Sequence, residues 1–190
     1  NNLNRKTSRI IYPDRKQNPT ILKGINLQQT YLSYVFPVQG INSPKYIHYI
    51  LLAEMLNKKI RQQLENSGLF YDIQLYYHTY LNAGEFRVVT ACKKDNVNKI
   101  IEKFDALVDA LEISNQLFME TKKYVNHQIL LKEDNVDELS SLSLYLLGSR
   151  PKLTTLADEI SKIDSVTFGE IKTITHKHIN KKNSYRFVMN

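Results

Sequence analysis

The chain has 190 residues, 42% of them apolar and 24% charged, with one cysteine and a formal net charge of +7. That length fits one domain with a full hydrophobic core, or one domain with an appended arm. The lone Cys92 excludes an internal disulfide and points to a reducing, cytoplasmic setting. No run approaches the roughly 20 apolar residues of a membrane-spanning helix. The opening Asn1-Asn2-Leu3-Asn4-Arg5-Lys6 has no apolar stretch behind it and does not read as a signal peptide, and without an initiating methionine it reads as part of a longer protein.

Residues 1–27 are polar and basic, with Pro13 and Pro19, and read as a linker or arm holding at most a short strand. Residues 28–190 read as a single domain. Gln28 to Val38 is rich in Tyr, Val and Phe and predicts a strand. Ser43-Pro44 starts a helix, a cap followed by proline in the first turn. Its apolar stripe is Ile47, Ile50, Leu51, Met55, Leu56, Ile60 and Leu64. Asn66-Ser67-Gly68 ends it, Gly68 suiting a left-handed C-terminal position.

Leu69 to Leu81 alternates as a strand. Tyr71 is expected on the face of Ile73 and Leu75, and Tyr76, His78 and Tyr80 on the other. Asn82-Ala83-Gly84 turns the chain into a return strand, Glu85 to Cys92. Helices follow with caps at Asp95, Ser114, Asn135, and Thr154 or Thr155. The third of these runs through Val136, Leu139, Leu142 and Leu146 to Gly148-Ser149-Arg150-Pro151. Thr167 and Glu170 form a capping box for a helix through Ile171, Ile174 and Ile179, and Ser184 to Met189 closes as a strand. This order predicts an α+β fold: a mostly antiparallel sheet of three or four strands with helices packed on one face.

No catalytic constellation is visible. None of His48, His78, His127, His176 and His178 stands in H-x-x-E-H or H-E-x-x-H, the spacing that puts two imidazoles and a carboxylate base at one zinc ion. His176 and His178 are two apart and diverge on a helix, so they read as a surface helix end with favourable cations. Cys92 reads as a small buried hydrophobe. There is no G-x-S-x-G and no phosphate-binding glycine loop. The basic residues are scattered, the tightest groups being Lys58-Lys59-Ile60-Arg61, Lys122-Lys123, and Lys177 with Lys181 and Lys182. Nucleic acid is therefore not the expected partner.

One segment carries a resemblance. The helix from Leu51 to Glu65 with Gly68-Leu69-Phe70-Tyr71 resembles a segment of the insulinase/pitrilysin/mitochondrial-processing-peptidase family of zinc peptidases: a helix ending leucine-arginine-glutamate, then glycine-leucine-x-tyrosine. The likeness extends to Gln29–Pro37, to Ala83-Gly84-Glu85-Phe86, to the paired helices after Asn96, and to Ile160–Ile171. It identifies the chain with the C-terminal half-domain, the one that binds no zinc. The resemblance implies that zinc and its base reside in a homologous N-terminal half-domain or partner subunit, with no cofactor in this chain. It also implies that this domain helps enclose a peptide chamber and contributes an arginine and a tyrosine to substrate.

Tyr71 matches the tyrosine. The arginine position falls on Leu64, or on Glu65 if the helix is shifted by one, and neither is basic; Arg61, about one turn away, is the available substitute. The family's glycine-rich bend is replaced by Ala53-Glu54-Met55-Leu56, which continues the helix. The expectation is thus a non-catalytic domain, inactive alone, with Tyr71 and Arg61 as substrate-binding candidates and no catalytic or metal residues. The alternatives are a scaffold or assembly subunit without peptide processing, and a basic nucleic-acid-binding module.

Overall fold

A computed structural model describes residues 19–22, 27–64, 68–132, 135–141 and 155–189. Five strands, β1 (Thr20–Leu22), β2 (Thr30–Val38), β3 (Phe70–Thr79), β4 (Gly84–Cys92) and β5 (Tyr185–Met189), form one sheet in the order β1-β5-β2-β4-β3. Every neighbouring pair is antiparallel except β1 with β5. The helices are α1 (Tyr46–Leu64), α2 (Val97–Asp109), α3 (Asn115–Leu131), α4 (136–141), α5 (Leu156–Ser165) and α6 (Phe168–His178). The α+β class and the antiparallel sheet agree with the sequence reading. The fifth strand comes from the arm: Thr20 and Leu22 pair with Phe187 and Met189. The part of the expected third helix beyond residue 141, and its end at 148–151, lie outside the described residues.

Strand alternation sorts the sheet into two faces. Leu32, Tyr34 and Phe36 of β2 pair with Thr90, Val88 and Phe86 of β4, all buried under the helices. α1 is the central layer. Its stripe predicts one buried face, yet Tyr46, His48, Tyr49, Leu52 and Ala53 are buried as well. The reason is tertiary: α1 lies on β3 and is itself covered by α3, α5 and α6. Each such fully buried Leu or Met side chain contributes about 1.5–3 kcal/mol of burial.

The caps decide where helices begin. Ser114 accepts from Leu117 N at 3.1 Å, Asn135 from Asp137 N and Glu138 N, and Thr155 forms a reciprocal box with Asp158. The Thr167–Glu170 box is also reciprocal. Asp95 does not act as expected: it lies within a 3₁₀ turn, Lys94–Asn96, and α2 grows directly from that turn without a side-chain cap. Gly68 has φ 64°, the left-handed conformation that ends α1.

The β2–α1 loop is clamped to the β3–β4 hairpin. Ile41 N donates to Tyr80 O at 2.9 Å and Asn42 N to Leu81 O at 3.0 Å. Gly40 makes this approach feasible, since a Cβ there would stand 2.1 Å from Tyr80 O. Glu170 ties α6 to α1: Lys45 Nζ donates to its Oε1 at 2.7 Å, while Thr167 N donates to Oε2 at 3.0 Å. These partners hold its carboxyl down at about 2. His48, buried beside this pair, has its pKa lowered by burial and by Lys45. His178 is not the exposed cation expected of a helix end. Its ring packs edge-on against Tyr49 and its Nδ1 lies 3.3 Å from Pro37 O, and burial lowers its pKa.

Candidate functional site

The helix–glycine–tyrosine segment joins α1 to β3. α1 runs unbroken through Ala53-Glu54-Met55-Leu56, so its last turn continues the core-facing register. Leu64 is consequently 4% exposed and belongs to the hydrophobic core. Arg61, three residues earlier, is exposed and lines a recess with Glu54, Asn57, Lys58, Glu120, Thr121 and Tyr124. In that recess Lys58 is bound to Glu120 at 2.7 Å, a pair that holds the Glu120 carboxyl down. Arg61 has no ion-pair partner among the described residues.

Tyr71 stands elsewhere. An irregularity between Phe70 and Asp72 inserts one extra residue into β3 opposite β4. The expected alternation therefore breaks: Tyr71 is 62% exposed, whereas Ile73 is 3% exposed. Tyr71 does not line the Arg61 recess. Both candidates are thus solvent-facing, but the structure does not gather them into one pocket. The bulge was invisible to a period-2 reading because nothing in Phe70-Tyr71-Asp72 marks an unpaired residue.

The sheet face opposite the described helices is the second notable surface, and sequence reasoning did not single it out. A recess of ≈ 380 Å³ there is lined entirely by strand residues, among them Leu22, Tyr31, Val35, Val89, Phe187 and Met189. Leu22, Tyr31 and Met189 are exposed large hydrophobics. The signal was present as alternation, since Tyr31, Ser33 and Val35 occupy the positions between Leu32, Tyr34 and Phe36. Beside this recess Arg87 reaches the carboxylate of the buried Glu85, two positions along the same strand face. Cys92 is fully buried, and burial pushes its thiol pKa up, away from a nucleophile.

Among the described residues no three histidine, cysteine or carboxylate side chains converge where they could hold a metal ion. Nor, among those residues, is any helix long and apolar enough to cross a membrane.

The family profile described as "Peptidase M16 inactive domain" matches residues 3–123, more than half of the sequence. The chain belongs to this family. The match runs from the arm into α3 and contains the whole helix–glycine–tyrosine segment, so the residues that carried the resemblance lie inside it. No curated protein sequence matches. Among solved structures, the M16 inactive domain here is similar to a protease from Helicobacter pylori, with TM-score 0.75 and 9% identity over 97% of this chain and 48% of that one. It is similar to the periplasmic protease PqqL from Escherichia coli, with TM-score 0.71 and 14% identity over 90% of this chain and 20% of that one. A chain of complex III2 from Candida albicans is also similar, with TM-score 0.68 and 15% identity over 90% of this chain and 45% of that one. At these identities the likeness establishes the fold. The chain spans less than half the length of each of these structures.

Proposed function

We propose that this M16 inactive domain is the non-catalytic half of a peptide-enclosing chamber, completed by a homologous N-terminal-type half-domain or partner subunit that supplies zinc and its base. The observation that carries this reading is the one-sided sheet. Helices cover one face, while the other presents a strand-lined apolar recess around Tyr31, Phe187 and Met189. Covering such surface is worth about 25 cal/mol per Å² of apolar area, which favours a companion domain there. At the α1–β3 junction, Arg61 would grip a peptide carbonyl or carboxylate through its guanidinium, and Tyr71 would pack its ring on the same chain.

The test uses the purified chain alone and mixed with a zinc-bearing M16 N-terminal-type partner. Alone, it is expected to hold no stoichiometric zinc by elemental analysis and to cleave no peptide. With the partner it should form a stable complex by light scattering, and Phe187→Asp should abolish that complex while the circular dichroism spectrum stays unchanged. In the complex, Arg61→Ala and Tyr71→Ala should raise KM for peptide. Stoichiometric zinc in the lone chain, or a complex indifferent to Phe187→Asp, would sink the reading.

Leu64 supports a second reading. A buried leucine at the position where the family resemblance implies an arginine fits a subunit kept for assembly after peptide binding was lost. A complex that forms normally but whose peptide affinity ignores Arg61→Ala would favour it.

A further inference from the structure

A groove runs along the helical side of the domain, away from the strand-lined recess. α1 and α3 pass each other antiparallel, Lys58 meeting Glu120 toward one end, with Tyr46 and Lys132 both lining the hollow toward the other. The main hollow is ≈ 430 Å³ and is floored by Ile50, Val125 and Ile129. It continues into the Arg61 recess, and the two share Glu54 and Tyr124.

Lys58 and Glu120 in the lining neutralise each other, and Glu159 is held by Lys162. The charges left over alternate along the groove: Lys132 at one end, Glu54 at the middle, Arg61 at the other. Neither Glu54 nor Arg61 has a hydrogen-bond or ion-pair partner among the described residues. They are seven positions apart, two helical turns, so they project from the same side of α1 about 10 Å apart. The lining cation nearest Glu54, Lys58, is engaged by Glu120, so Glu54 stands at the edge of the apolar floor without an ion pair; the residue is exposed, yet partial desolvation raises its pKa.

We propose that this groove docks an amphipathic helix of a partner protein, with a lysine or arginine centred on its apolar stripe and an acidic residue about two turns to either side. The basic residue meets Glu54, and the acidic ones meet Arg61 and Lys132. The occupant is a helix because both walls are helices, whose backbone groups are bonded internally and offer no ladder to an extended strand. This goes beyond the half-domain reading and does not depend on it: the two share Arg61, but the sheet recess and Tyr71 take no part here, and Glu54 takes no part there.

The test is fluorescence anisotropy on the full 190-residue chain with synthetic leucine-striped helical peptides. One carries Glu–Lys–Glu at seven-residue spacing, the other Lys–Glu–Lys. The pattern reads the same from either end, so a peptide cannot escape the comparison by reversing direction. The Glu–Lys–Glu peptide should bind about ten-fold more tightly, with three attractive contacts replacing three repulsive ones. Glu54→Gln, a surface change that removes one of the three contacts, should shrink that ratio to about four- or five-fold. A benzophenone beside the central lysine should crosslink to α1 or α3. Equal binding of the two peptides, a ratio unmoved by Glu54→Gln, or crosslinks on β2 or β5 would each overturn the proposal.

Discussion

Leu64→Arg places an arginine where the family resemblance implies one. The structure predicts that this damages the fold instead of restoring a binding group. Leu64 is 4% exposed and packed within the core at the end of α1. Removing it forfeits about 1.5–3 kcal/mol of burial. The guanidinium then faces two costs: remaining buried without a partner, worth several kcal/mol, or bending its stem out past the helix end, which strains rotamers and opens the core. The sum is about 4 kcal/mol of lost stability, a large part of what a domain of this size holds. Arg61→Leu, at an exposed position three residues away, should change stability by no more than about 0.5 kcal/mol. Urea unfolding followed by far-ultraviolet circular dichroism measures both. If Leu64→Arg stays within about 1 kcal/mol of the parent, position 64 opens to the surface and the reasoning about the displaced arginine fails.

Glu170→Gln should destabilise the chain by about 1 kcal/mol at pH 7, a figure kept low because the side chain is 39% exposed. Its folded pKa is depressed from 4.5 to about 2, so its stabilisation is complete above the unfolded value and is lost as pH falls through the folded one. The parent–variant difference in urea midpoints should therefore shrink to roughly 40% of its neutral value by pH 3; a pH-independent difference would contradict the assignment. Gly40→Ala should cost about 1–3 kcal/mol, because the new methyl collides with Tyr80 O and Ala83 N and parts the loop from the hairpin. A thermal-melt shift of less than about a degree would count against that clamp.

Local chemistry was readable where it depends on near neighbours. Thr167 and Glu170 announce a capping box, Ser114 a cap, and Gly68 a left-handed stop, because each is completed within a few residues of itself. The alternating strands and the α+β class follow from periods of two and 3.6. Arg61 was legible as an exposed cation near the end of a helix, and Tyr71 as a tyrosine at the entry to a strand. What they face was not. The bulge at Phe70/Asp72 arises from how β3 registers on β4, more than a dozen residues along the chain.

The groove and the sheet recess lie further still from sequence. Glu54 stands on the polar side of α1's predicted stripe and gains its meaning only when α3 comes alongside. Tyr31 and Val35 read as ordinary alternating strand residues until β5 arrives beside β2 and β1 beside β5. In the same way, burial around almost the whole of α1's first half is the work of α3, α5 and α6. The amino-acid sequence by itself determined the caps, the turns, the alternating faces and the family segment, because those interactions span a few residues. The tertiary structure decided which side chains are exposed together, that Leu64 is buried in the core while Arg61 is exposed, and which sheet face the described helices cover, because these depend on contacts between distant parts of the chain.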